Sequence, residues 1–333
     1  MPKPTGKADG KVTDIGAFAR TNQGTEFHAD WLEDIRVNLS AVERRTATVI
    51  KRRTVKKDWQ VAWMLKAISC IDLTTLSGDD TPGRVRRLCA KAKQPVRQDL
   101  LEAIGAAELK LTTGAVCVYH AMVPTAAAAL EGSGVPVAAV SAGFPAGLSP
   151  METRLQEIGE SLAAGANEID IVITRAHALN QDWPALYEEV RAFRQACGST
   201  HLKTIIATGQ LGNMNIVARA SMVCMMAGAD FIKTSTGMEN LNANLPVALV
   251  MVRMIRDFYE RTGKKVGFKP AGGIRTAKQA IAYLILIKEE LANDWLSPSL
   301  FRFGASSLLG DLERQIEYHA TGSYSAAYRH PIA

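Results

Sequence analysis

Two lysines stand where apolar segments of this chain break into small residues. In Phe231-Ile232-Lys233-Thr234-Ser235-Thr236-Gly237 an apolar lead-in ends in one lysine, followed by hydroxyls and a glycine, as a buried strand opening into a ligand loop would read. Val266-Gly267-Phe268-Lys269-Pro270-Ala271-Gly272-Gly273 repeats the arrangement. Lysine is seldom fully buried without a reason, and two together suggest amine chemistry. An ordinary lysine is a poor nucleophile because it is almost wholly protonated at neutral pH. A second ammonium about 5 Å away, at an effective dielectric near 20, penalises that charge by about 3 kcal/mol. This is enough to make one of the pair a Schiff-base former. A pair of surface lysines at sheet edges is the competing reading of the same pattern.

Further residues could serve such a site. In 168–173, Ile169, Ile171 and Ile173 alternate with Asp170, so the isoleucines face helices and Asp170 points inward. An inward carboxylate is costly unless paired. Lysines would pair with it and move protons through water, although a structural salt bridge would look the same. Lys203 shares its strand face with Ile205 and Ala207, and its early position suggests a supporting charge lower down. Two late loops suit an anion: Ala271-Gly272-Gly273-Ile274-Arg275-Thr276 and Gly304-Ala305-Ser306-Ser307 each open a helix, whose amides and dipole attract phosphate. Cys117 reads as core, and His120 falls on the other strand face with an ordinary surface role.

The elements that must carry these residues alternate. Short strand signals fall at 71–74, 115–119, 137–141, 168–173, 203–207, 230–234, 266–270 and 301–304. Helical signals lie between them at 82–92, 151–164, 183–197, 215–227, 245–262 and 276–291. Eight βα units with functional residues at strand C-termini predict an α/β fold of the (β/α)8 barrel type; a doubly wound open sheet is the alternative. No dinucleotide fingerprint or P-loop opens a helix. Residues 1–57 form an N-terminal extension, partly mobile, with one helix marked by Trp31, Ile35, Leu39 and Val42; 58–320 form the barrel, and 321–333 a tail.

Composition is that of a soluble globular protein of 333 residues. Lys+Arg 39 against Asp+Glu 33 gives +6, a mild excess that an anionic substrate explains. The basic run from Arg44 to Lys57 lacks interleaved aromatics and reads as a solvated helix face, not a nucleic-acid surface. Five cysteines without metal-ligand spacing point to reduced thiols and a cytoplasmic location. The first ten residues lack the apolar core of a signal peptide, and no run has the length of a membrane span.

In these motifs the chain resembles the deoxyribose-phosphate aldolases, class I enzymes built on a TIM barrel. The resemblance runs through Asp72-Leu73-Thr74-Thr75-Leu76, Glu168-Ile169-Asp170, Lys203 with Thr208-Gly209, the two lysine segments and Phe303-Gly304-Ala305-Ser306-Ser307, from about residue 70 to near the C-terminus. The N-terminal extension and residues 288–301 look like the longer, animal-type members. The resemblance implies reversible cleavage of 2-deoxy-D-ribose 5-phosphate to D-glyceraldehyde 3-phosphate and acetaldehyde, with neither metal nor organic cofactor. By motif, Lys233 is the Schiff-base lysine, Lys269 the neighbour that depresses its pKa, Asp170 the acid/base partner and Lys203 its support. Thr74 lines the sugar pocket, and Gly237, Gly272, Gly273, Ser306 and Ser307 hold the phosphate. Met238 departs from the family's usual lysine and removes a charge beside the phosphate. A terminal tyrosine assists in compact bacterial members; Tyr324 and Tyr328 are the counterparts to consider. The implied partners are small molecules, neither nucleic acid nor membrane, with a homo-oligomer left open. A phosphate-binding barrel without covalent chemistry is the alternative function.

Overall fold

Apolar strand segments followed by amphipathic helices close into a barrel, because each strand buries one face on the helices and the other on its fellows. The architecture comes from a computed structural model that describes residues 21–331. Its strands are β1 (Ile71–Thr74), β2 (Ala115–Tyr119), β3 (Val137–Val140), β4 (Glu168–Val172), β5 (His201–Ile205), β6 (Phe231–Lys233), β7 (Gly267–Lys269) and β8 (Phe303–Ala305). All paired neighbours are parallel, in the order β7-β6-β5-β4-β3-β2-β1-β8. Parallel bridges Phe268↔Phe301 and Ala271↔Gly304 join the two ends and close the sheet. The barrel reading is therefore the correct one, and the open sheet is not.

Strand alternation sorts the side chains as the isoleucines of β4 suggest. Ile169, Ile171 and Ile173 join the large core between sheet and helices, while Cys117, Ala138, Val140, Val172, Ile205 and Ala207 form a second apolar cluster within the barrel. Helix starts are set by local chemistry: Asn213, Asn244 and Asp182 each accept from a first-turn amide, and each such cap is worth about 1 kcal/mol. Three α-helices escape the sequence signals, Val123–Leu130 and the short Gln98–Ala103 and Arg175–Leu179. The first is almost wholly apolar and alanine-rich, so it shows little amphipathic period. Strand β5 also begins and ends two residues earlier than expected. Ala207 has a φ of 55°, and a 3-10 turn follows at Thr208–Gln210, which ends the extended run.

The N-terminal region differs more. Two helices, Asp30–Glu33 and Leu39–Val49, replace the single one predicted. Asn38 interrupts the period: it is extended, and its side chain accepts from Ala41 N at 3.0 Å to start a new helix. Ile35 and Val42 are buried, but Leu39 is 49% exposed. Arg45 pairs with Glu290 at 2.8 Å and Arg53 with Glu289 at 2.8 Å, while Arg44, Lys51, Arg52, Lys56 and Lys57 are exposed. Residues 21–27 are tied down. Asn22 is buried, donates to the carbonyls of Met225 and Ala229, and its own amide donates to Asp230 Oδ1 at 2.6 Å. The rest of the stretch expected to be mobile, up to residue 20, lies outside the described residues. No helix among the described residues is long and apolar enough to cross a membrane.

Candidate active site

The register of the sheet brings the charged residues to one place. Asp170 pairs with Lys203 across β4 and β5, and Lys233 with Lys269 across β6 and β7. Lys203 is level with Phe231, two residues below Lys233. The supporting lysine thus lies deeper, although it is the third residue of its strand and not the first. Asp170 sits between all three: Oδ2 accepts from Lys233 Nζ at 2.9 Å and Lys269 Nζ at 2.8 Å, and Oδ1 from Lys203 Nζ at 2.9 Å. These lysines are buried, with Lys233 2% exposed, so the surface-lysine reading fails. Phe144, on the loop after β3, lies over Lys233 with its ring centroid 5.9 Å from Nζ.

Three charged residues complete the interior that motif reading left without a role. Lys269 Nζ lies 2.5 Å from Asp72 Oδ2, and Lys203 Nζ 2.5 Å from Glu168 Oε2. Arg302 joins Asp72 Oδ1 at 2.5 Å to Glu168 Oε1 at 2.9 Å. The signal for them was present: each precedes an interior residue by two positions on its strand, as Asp72 precedes Thr74, Glu168 precedes Asp170 and Arg302 precedes Gly304. Burial alone would raise the carboxyls. Against it, Arg302, Lys269 and Lys203 hold Asp72 below the usual carboxylate range, Arg302 and Lys203 do the same for Glu168, and the three lysines hold Asp170 well below it. Burial would likewise lower Lys269 and Lys203, but Asp170 with Asp72, and Asp170 with Glu168, raise both above an ordinary lysine. Lys269 is therefore a firm ammonium whose charge is already matched by carboxylates, so its repulsion of Lys233 is weaker than two bare lysines would give.

The loops above this layer carry the expected anion residues. Gly237, Gly273, Ser306 and Ser307 are exposed, and Gly272 is half-buried. Gly272 has a φ of 80°, and a Cβ there would come within 2.6 Å of Asn242; glycine is required on both counts. The helix after Gly273 starts with part of its first turn already paired. Thr276 and Gln279 form a capping box, and Ala277 N donates to Asp311 Oδ2 at 2.7 Å, so the amides of Ala277 and Gln279 are occupied. Ser306, in contrast, makes no side-chain cap at the start of Ser307–Thr321. Thr74 is half-buried and its hydroxyl donates to the Asp72 carbonyl at 2.6 Å. Met238 is 55% exposed.

Other candidates fall away from the site. Tyr324 stacks on Tyr318 at 4.3 Å and donates to Gln315, and Tyr328 is 84% exposed, so neither reaches the lysines. His120 contacts Glu157 at 2.9 Å. The five cysteines are free and buried; burial pushes the Cys117 thiol up, which makes it a poor nucleophile.

A family description, the DeoC/LacD family aldolases, matches residues 66–309, most of the chain. The chain belongs to this aldolase family. Over 314 residues it is 57% identical to the human protein named deoxyribose-phosphate aldolase, covering 94% of this chain and 99% of that one. The bovine protein of the same name is 56% identical over 313 residues, covering 93% and 98%. A solved structure titled as a tetrameric deoxyribose phosphate aldolase from Aeropyrum pernix superposes with a TM-score of 0.59 at 22% identity, covering 84% of this chain and 99% of that one. That likeness speaks to the barrel of this aldolase-family chain. The lysine-bearing strands all lie within the matched residues.

Proposed function

We propose that this chain cleaves 2-deoxy-D-ribose 5-phosphate reversibly to D-glyceraldehyde 3-phosphate and acetaldehyde through a Schiff base on Lys233. The observation that carries the reading is the sharing of one Asp170 oxygen by Lys233 and Lys269 in a buried, strand-end position. Neutral Lys233 Nζ adds to the C1 aldehyde of the open-chain sugar, and the carbinolamine loses water to give an iminium. The C3 hydroxyl gives up its proton as the C2–C3 bond breaks, and that bond's electrons move to the iminium as an enamine. Glyceraldehyde 3-phosphate leaves. The enamine carbon then takes a proton, and water releases acetaldehyde and regenerates the amine.

Asp170 is the acid/base partner acting through water, and Lys203 keeps it ionised from below. Lys269 supplies positive charge beside the developing alkoxide. Thr74 lines the sugar end, while Gly237, Gly272, Gly273, Ser306 and Ser307 take the phosphate, the uncapped start of the last helix adding its dipole. Phe144 walls the small donor pocket. The buried free thiols suit a reducing, cytoplasmic setting, and the tetrameric aldolase from Aeropyrum pernix supports a homo-oligomer.

The test is a coupled assay of acetaldehyde release from deoxyribose 5-phosphate by the wild type and Lys233→Ala. Turnover by the wild type, lost in the variant, is expected. Comparable rates in both would sink the assignment, and binding without turnover in either would favour a non-covalent sugar-phosphate barrel.

A further inference from the structure

Six of the seven charged groups inside the barrel alternate in sign around a closed circuit. Asp170 contacts Lys203, Lys203 contacts Glu168, Glu168 contacts Arg302, Arg302 contacts Asp72, Asp72 contacts Lys269, and Lys269 returns to Asp170. The circuit holds three anions and three cations, so it is neutral by itself. Lys233 hangs from it, sharing the Asp170 oxygen already used by Lys269.

We infer that Glu168 and Arg302 are positioning residues for the covalent step: they close this ring beneath the site, hold Lys203 and Lys269 as ammonium ions, and leave Lys233 as the cation the ring does not balance. The inference rests on the aldolase reading above. The side-chain ion pairs of Glu168 and Arg302 go to other members of the ring and not to Lys233, so both act through the ring. Fixing the scaffold is a weak explanation for them. Buried ion pairs add little net stability over apolar packing, and the interiors of such barrels are ordinarily filled by branched apolar side chains. Inside a dry barrel, however, a single charge acts on its neighbours over many ångströms.

The groups facing this layer come from seven strands and the residue before β8, and they limit what else could titrate. Asp72 and Thr74 come from β1, Cys117 from β2, Ala138 and Val140 from β3, Glu168 and Asp170 from β4, His201 and Lys203 from β5, Lys233 from β6, Lys269 from β7, and Arg302 from the entry to β8. Cys70 also lies near Arg302 and Asp72, and burial pushes its thiol up to about 11. Arg302 Nε donates to the Pro298 carbonyl, which leaves Nη1 for Asp72 and Nη2 for Glu168.

The experiment is borohydride trapping with acetaldehyde across pH, read as the midpoint at which trapping becomes half-maximal. Glu168→Gln removes an anion and should move the midpoint down by about one pH unit; Arg302→Met removes a cation and should move it up by a similar amount. The double variant restores neutrality and should return the midpoint to near the wild-type value. Arg302→Lys keeps the charge and should leave it there too. Midpoints equal to wild type in folded single variants, with only thermal stability reduced, would overturn the inference. If Arg302→Met does not fold, Glu168→Gln decides it alone by the presence or absence of the downward shift. Failure of the wild type itself to trap acetaldehyde would instead overturn the aldolase reading.

Discussion

At the scale of single residues the chemistry turns on which amine is free to react. Lys203 and Lys269 each face two carboxylates at close range, whereas Lys233 has one, and shares it. Lys233→Ala should therefore fold normally, because the remaining charges still balance, yet lose turnover by at least about a thousandfold; circular dichroism beside the assay checks both halves. Lys269→Leu leaves Asp72 and Asp170 with too little positive charge. The alkaline rise of activity should then move upward, which a pH–rate profile reads directly. Asp170→Asn strips the common partner of three ammoniums and should cost about 3–5 kcal/mol in denaturant titrations. The two lysines and Asp170 were legible because charge in an apolar strand is conspicuous. Asp72, Glu168 and Arg302 obey the same rule, but their partners are far apart in the chain, so only the closed barrel shows what they do.

At the scale of elements, the proposed substrate contacts fall at the strand ends and in the loops that follow them. Gly272→Ala would place a methyl group against Asn242 in a left-handed backbone conformation, so KM for the phosphorylated sugar should rise about tenfold with kcat less affected; steady-state kinetics separates the two. Met238→Lys adds a cation at an exposed position beside Gly237. KM should fall about two- to fivefold at low salt, with the gain fading at high ionic strength. The strand order was legible from eight apolar runs, and the capped helices from period and composition. What misled was local. The 31–42 period continued past Asn38, whose capping side chain restarts the helix.

At the scale of the molecule, the buried ring couples folding to pH. Asp72, Glu168 and Asp170 have folded pKa values below their unfolded ones, so their stabilising contribution is present above the ordinary carboxylate range, near 4, and is lost as pH falls through and below it. Denaturant midpoints should thus drop steeply below about pH 4, and be flatter in a variant with the ring charges removed in neutral pairs. The segment at 21–27 adds a second global tie: Asn22→Ala removes the side-chain donor to the Met225 and Ala229 carbonyls and should lower stability by about 1–3 kcal/mol without changing the trapping midpoint. The central claim concerns the intact protein and one nitrogen on it. Borohydride reduction with acetaldehyde, followed by intact mass and peptide mapping, should give a single N-ethyl adduct on Lys233. An unmodified folded protein, or an adduct confined to another lysine, would contradict the account.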